Sequence, residues 1–173
     1  MNYRLAESSD APAIAAIHAR SWQLHYRGAM TDHYLDHEAP AERNRFWQKR
    51  LAENMGDIQT IVTYDKDQLT GFCCLEPDVH PEDGYYLDNL HVIPSAKGKG
   101  IGKALMQKSA EQLLNKRPDG RIYLWVLTRN HDAIGFYDYL GGRRGRLEML
   151  SLAGNEVEAL MMWWPLSEMA AWE

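Results

Sequence analysis

Between a strand-like run, Tyr85–Val92, and a helix-like run starting at Ile101 stands the segment Lys97-Gly98-Lys99-Gly100-Ile101-Gly102-Lys103. Glycine at every second position opens backbone conformations closed to other residues and lets the chain approach a ligand closely. Several N–H groups can then converge on one anion at the helix start. Charge placement points the same way. Cations at the positive end of a helix dipole are disfavoured by ~0.3–1 kcal/mol each, yet Lys97, Lys99 and Lys103 crowd it. An anionic ligand removes that conflict, so the corner reads as a phosphate cradle; a flexible turn with solvated lysines is the plain alternative.

Two familiar phosphate loops fail on position. A Walker loop ending at Gly102-Lys103 needs glycine at 97 and Ser or Thr at 104, where Lys97 and Ala104 stand; ending at Gly98-Lys99 it fails at Ile93 and Gly100. A dinucleotide fingerprint from Gly98 needs Gly or Ala at 103 and belongs after the first strand of a parallel sheet.

The rest of the chain supplies a sheet and helices around this corner. Tyr3–Glu7 alternates as a short strand, and Ser8, Ser9 and Asp10 bring N-cap chemistry before the stripe Ile14, Ile17, Trp22. A second helix is expected from about Ala41 to Met55. Ile58–Tyr64 and Leu69–Leu75 flank the turn Asp65-Lys66-Asp67 as a hairpin. Ile101, Leu105, Met106, Ala110, Leu113 and Leu114 form one helical stripe. Arg121–Leu127 is a strand, and a short helix runs from Asn130 to Leu140 with Gly141 as its cap. Strands at about Arg146–Leu152 and Glu156–Trp164 meet at Gly154-Asn155. One crossover helix among antiparallel neighbours implies an α+β sheet with helices on both faces.

The chain's 173 residues make one domain's worth. With 19 basic and 24 acidic residues the formal charge is −5, so no overall basic field draws in nucleic acid or anionic lipid, and neither is expected as a partner. Cys73 and Cys74, the two cysteines, point to opposite faces of a strand and encode no disulfide. Charges at Arg4, Glu7 and Asp10 interrupt any signal-like apolar run, and no window nears ~18 apolar residues. A soluble, cytoplasmic protein is the expectation.

The setting LHVIPSAKGKGIGKALM resembles the acetyl-CoA signature of the GCN5-related N-acetyltransferase (GNAT) superfamily, with Lys97 where Arg or Gln is usual. NHDAIGFYDYLGG is similar to that superfamily's second signature and follows at the family's spacing. The resemblance covers the element order from Tyr3 to about Trp164. It implies a single acetyltransferase domain with a three-layer α/β/α fold, whose mixed, mostly antiparallel sheet is splayed at the cofactor site. It also implies acetyl-CoA as co-substrate, with Lys97, Gly98, Lys99, Gly100, Ile101, Gly102 and Lys103 around its pyrophosphate. Main-chain groups of Leu90, His91 and Val92 would lie along its pantetheine arm. Leu87, Leu90 and Val92 are the apolar positions of that strand, and the step of three suggests a bulge near Asp88-Asn89.

An alkylamine of pKa about 10.4 is neutral in only about one molecule in 2,500 at pH 7, a handicap of about 4.6 kcal/mol, so acetyl transfer needs a proton acceptor. Asp88, where relatives often carry an acidic residue, is the candidate base; a surface aspartate is the alternative, with Glu76 and Glu82 as rivals. Tyr137 holds the family's general-acid position, or is simply a packed aromatic beside Phe136. Asn130 is expected to cap its helix, bond CoA, or both.

His33 and His37, four apart around Asp36, lack a third ligand, and no metal is expected. His91 and His131 fall near the cofactor channel or serve packing and surface. Arg143, Arg144 and Arg146 read as a solvated face, with contact to the adenosine 3′-phosphate as the alternative. The acceptor pocket would draw on Trp22, Tyr26, Arg27, Tyr34 and the strand Met161–Trp164, although Trp22 and Tyr26 also fit a core stripe. Aromatics near Asp88 and Glu82 would suit a cationic amine, and the resemblance implies a small-molecule or peptide amine as the acceptor. A catalytically silent CoA-binding sensor is the competing function. Met161–Trp172 either packs on a second copy as a homodimer or completes the core.

Overall fold

The computed structural model describes residues 1–53, 58–80, 82–152 and 154–173, with residues 78–80 described by their backbone. Seven strands form one sheet in the order β1-β2-β3-β4-β5-β7-β6. They are β1 (Asn2–Leu5), β2 (Gln59–Asp65), β3 (Gln68–His80), β4 (Gly84–Val92), β5 (Arg121–Leu127), β6 (Arg143–Leu152) and β7 (Asn155–Pro165). The helices are α1 (Ala11–His25), α2 (Ala39–Ala52), α3 (Ile101–Leu114), α4 (His131–Tyr139) and α5 (Leu166–Ala170). The sheet is mixed and mostly antiparallel. β4 and β5 are parallel, with Tyr85 opposite Ile122 and Tyr86 opposite Tyr123, because α3 is a crossover between them.

The chain forms two compact units, Met1–Cys74 with Asn89–Leu105, and Leu75–Asp88 with Met106–Glu173. The first has a core of Ile14, Ala15, Trp47, Val62, Phe72 and Cys74. Phe72, Cys73, Cys74 and Leu75 are all at most 1% exposed, so β3 is covered on both faces, and neither cysteine forms a disulfide. Ser8–Asp10 makes a tight turn before α1, but the Asp10 carboxylate does not cap that helix. It accepts the Glu7 N–H at 2.7 Å and is held by Arg4 and the Tyr64 hydroxyl. A π-helical turn, Tyr34–Glu38, leads into α2, whose first turn carries a proline. Of the expected second helix, residues 54 and 55 lie outside the described residues.

The second unit is built on β5, β7 and β6, paired antiparallel. Met161, Met162 and Trp164 are nearly or fully buried, so the C-terminal strand contributes to a core. The last hairpin differs from expectation by one residue. Asn155 pairs with Leu152 and therefore opens β7, while Gly154 supplies the left-handed residue at φ 80°. β6 also begins earlier than expected, at Arg143, with a register shift between Arg144 and Leu147.

Along the strand leading to the glycine corner, burial alternates with a period of two from Gly84 to Asn89 and stops there, Leu90, His91 and Val92 being partly buried. Tyr85, Leu87 and Asn89 are its buried positions. A polar residue, Asn89, takes the third inward place of this strand.

Candidate functional site

In the first unit, β4 ends by donating the Ile93 N–H to the Thr70 carbonyl at 2.9 Å, and a short turn, Pro94–Ala96, redirects the chain. Gly98 and Gly100 then adopt φ 76° and 75°, a region that side chains with a Cβ rarely enter. A Cβ built on either would meet nothing within 4 Å. Their conformation demands glycine and the space above them is open. The Ala104 N–H reaches the Gly100 carbonyl at 3.0 Å, so the amides of Ile101, Gly102 and Lys103 precede the first in-helix bond of α3. This cluster of main-chain donors, with Lys97 and Lys99 exposed beside it, has the donor set a diphosphate requires. The Lys97 ammonium also lies 3.5 Å from His25 Nε2 on α1.

One glycine outside the loop matters as much. A Cβ at Gly71 of β3 would stand 2.9 Å from the His91 carbonyl and 3.2 Å from Ile101; only glycine lets β3 pass so close to β4 and the start of α3. An isolated glycine in a strand-like run was the available signal.

The side chain of His91 packs inward, 5.2 Å from Phe72 and 4.9 Å from His18 between ring centroids. Although it keeps partial exposure, burial, reinforced by the positive charges of His25 and Lys97, pushes it down to about 3. His18, 2% exposed, accepts the Trp47 indole N–H on Nδ1 at 3.0 Å. Burial first, then His91, Arg43 and Arg50, hold it well below the usual imidazole range. His18 was not singled out from sequence; it sits on the α1 stripe between Ile14 and Trp22.

The α1 and α2 side chains divide into two groups. Trp22 and Tyr26 stack at 5.7 Å, and the Arg43 guanidinium lies 4.5 Å from the Trp22 ring. Arg27, expected at the acceptor, pairs with Asp32 and Asp36 at 2.8 and 2.6 Å. Tyr34 donates to Glu42 at 2.5 Å. The rings of His33 and His37 lie 5.0 Å apart, with His33 3.7 Å from Glu38. Among the described residues no group of three or more His, Cys, Asp or Glu side chains is arranged to hold a metal.

In the second unit, Asp88 is half-buried on β4 and shares a strand face with Tyr86. Tyr86 stacks on Tyr123 at 5.2 Å. The buried Tyr123 hydroxyl has no partner among the described residues, and burial, with Asp83 next, pushes it up to about 12. Asn130 caps α4 by accepting the Ala133 N–H at 3.2 Å. Tyr137 lies edge-on to Trp164 at 5.7 Å, and Trp164 donates its indole N–H to the Leu140 carbonyl at 3.0 Å. His131 is exposed. Glu82 accepts Arg121 through its main-chain carbonyl.

The three arginines read as a solvated or phosphate-binding face are each tied to a carboxylate. Arg143 meets Glu168, Arg144 meets Asp138, and Arg146 meets both Asp83 and Glu148, all at 2.6 Å. The β6 backbone brings these acids within reach, and the cations are neutralised within the protein.

A model of the acetyltransferase (GNAT) family matches residues 16–141, which contain the glycine corner and α4. The chain belongs to that family. The L-amino acid N-acetyltransferase AaaT of Escherichia coli K12 is 30% identical over 80% of both chains. The PaiA N-acetyltransferase of Thermoplasma acidophilum, solved with coenzyme A, superposes with a TM-score of 0.67 at 19% identity, covering 92% of this chain and 98% of that one. The ribosomal-protein-S18-alanine N-acetyltransferase of E. coli gives 0.66 at 20% identity, covering 95% and 93%. These two likenesses show a shared fold. This GNAT protein is an N-acetyltransferase with the family's α+β fold. Among its described residues no helix is long and apolar enough to cross a membrane.

Proposed function

We propose that this GNAT protein, acting as one domain over residues 1–173, transfers an acetyl group from acetyl-CoA to a primary amine of a small molecule or peptide. The observation that carries the reading is the pair of left-handed glycines, Gly98 and Gly100, with open space above them at the start of α3. The amides of Gly98 to Lys103, with Lys97, Lys99 and Lys103, hold the diphosphate of the donor. Leu90, His91 and Val92 offer main-chain groups to the pantetheine arm and polarise the thioester carbonyl. The His91 side chain is occupied by Phe72 and His18, so its contribution is main-chain only. Asn130, which caps α4, is assigned a further contact to the nucleotide.

The amine nitrogen forms the new C–N bond as the C–S bond breaks. Asp88 takes the proton that the amine gives up, directly or through water, and Tyr137 returns one to the departing sulfur. Bound acetyl-CoA supplies the activated acyl group. The relatives named above act on different amines, in keeping with a loop that grips only the shared nucleotide. The buried thiols of Cys73 and Cys74 suit a reducing, cytoplasmic setting. Calorimetric titration with acetyl-CoA, followed by thiol release over an amine panel, tests the assignment. Heat and amine-dependent thiol are expected; heat without thiol leaves a nucleotide-binding protein, and no heat removes the proposal.

A further inference from the structure

On the α1–α2 side of the first unit, Arg43 takes no part in the steps just described. Its side chain is 12% exposed. The guanidinium is clamped between two rings, 4.5 Å from Trp22 on α1 and 4.6 Å from Phe46 on α2. Its polar partner is Glu42, met through Nη2, and that carboxylate is shared because it also accepts the Tyr34 hydroxyl. Nε is buried with no partner among the described residues. A largely buried guanidinium with one donor, Nε, unmet is costly. The same planar fork, fixed by stacking, matches a carboxylate and gives up little freedom on binding one.

The surroundings favour an anion. Arg50, seven residues on along α2, lies 4.5 Å from the opposite partner ring, Phe46, and the positive charges of Arg43 and Arg50 both depress His18. Trp22 stands edge-on to His18 at 4.7 Å, and His18 packs on His91 of β4 at 4.9 Å. Arg43 thus belongs to the side-chain layer that adjoins the strand assigned to the donor.

We propose that Arg43 is the specificity-determining residue for the acceptor and that it binds the carboxylate of a free α-amino acid whose amino group is acetylated. This rests on the acetyl-transfer reading above. An α-amino acid carries nucleophile and anion on one carbon, so holding the carboxylate orients the amine. Polyamines lack that anion, and peptide N-termini carry an amide in its place.

The test compares the proteinogenic L-amino acids with their matching amino-acid amides as acceptors for the wild-type protein, then repeats the comparison with Arg43→Met. Acids are expected to exceed amides in kcat/KM by about 10–100-fold, the range of one charge-assisted contact. Arg43→Met should erase that preference while leaving the KM for acetyl-CoA and the turnover of amides within about 2-fold. Amides reacting as well as acids overturn the proposal, as does an acid preference that survives in Arg43→Met. Should that variant fail to fold, the wild-type comparison decides alone. Transfer to amines without acid preference sinks only the Arg43 assignment, whereas no transfer to any amine sinks the acetyl-transfer reading as well.

Discussion

Trp47 donates its indole N–H to His18 Nδ1 across the α1–α2 packing, and this settles the state of a buried imidazole. A ring nitrogen that accepts a hydrogen bond carries no proton, so neutral His18 bears its proton on Nε2. That Nε2 is buried and has no partner among the described residues. Protonating the ring would break the bond from Trp47 and place a cation beside His91, Arg43 and Arg50.

A pH dependence of stability follows from His18 and His91, whose folded pKa values are depressed below 6.5. Below pH 6.5 the unfolded chain binds protons that the folded chain refuses, so stability is full above that value and falls as pH drops. The expected slope is about 1.4 kcal/mol per pH unit for each histidine. For His91 it ends near its folded value of about 3. Urea unfolding between pH 5 and 7.5 measures it. His18→Gln should lower the slope by about half; an unchanged slope would refute the assignment.

Gly100→Ala separates conformation from ligand space. With φ at 75° and open surroundings, the added methyl strains only the backbone, at about 1–2 kcal/mol. Affinity for acetyl-CoA should drop by about 10-fold or more, since the main-chain donors lose their arrangement. Calorimetry and thermal melts give the two numbers independently.

Gly71→Ala should behave in the opposite sense. Its Cβ would collide with the His91 carbonyl, 2.9 Å away, so stability falls by about 1–3 kcal/mol, the usual cost of overpacking. Chemical denaturation measures the loss. A variant as stable as the parent would show that β3 and β4 can separate freely.

Tyr137→Phe and Asp88→Asn test the proton-transfer roles. Each should lower kcat by about 10²–10⁴-fold while leaving the acetyl-CoA dissociation constant near its parent value. Tyr137→Phe keeps the ring that packs on Trp164. If kcat survives in both, water and substrate basicity carry the protons.

Trp164→Ala probes the support beneath Tyr137. Trp164 is 1% exposed and bonds the Leu140 carbonyl, so truncation should cost about 3–5 kcal/mol. A thermal melt with a loss under about 1 kcal/mol would mean that the cavity collapses around the site.

Periodicity made most of the frame legible. α3 and β5 fall on the residues that their stripe and β-branched runs indicate, and the Asn130 cap and left-handed Gly141 appear where side-chain chemistry requires them. What it left out shares a cause. Asn89 hid the third inward position of β4 because it is polar, and the exposed Arg143 and Arg146 meet acids, Glu168 and Asp83, that come from elsewhere in the chain.

What sequence alone decides is therefore local: which residues can be helical, where a backbone must turn left-handed, and where amides cluster at a helix start. Those depend on φ/ψ preferences and spacing over a few residues, which any chain segment carries with it. Tertiary structure decides the rest. Whether His18 is neutral, whether Arg43 stacks on Trp22, and whether Arg146 meets Asp83 all depend on groups tens of residues apart. Desolvation and Coulomb attraction act only once folding has brought such groups within a few ångströms.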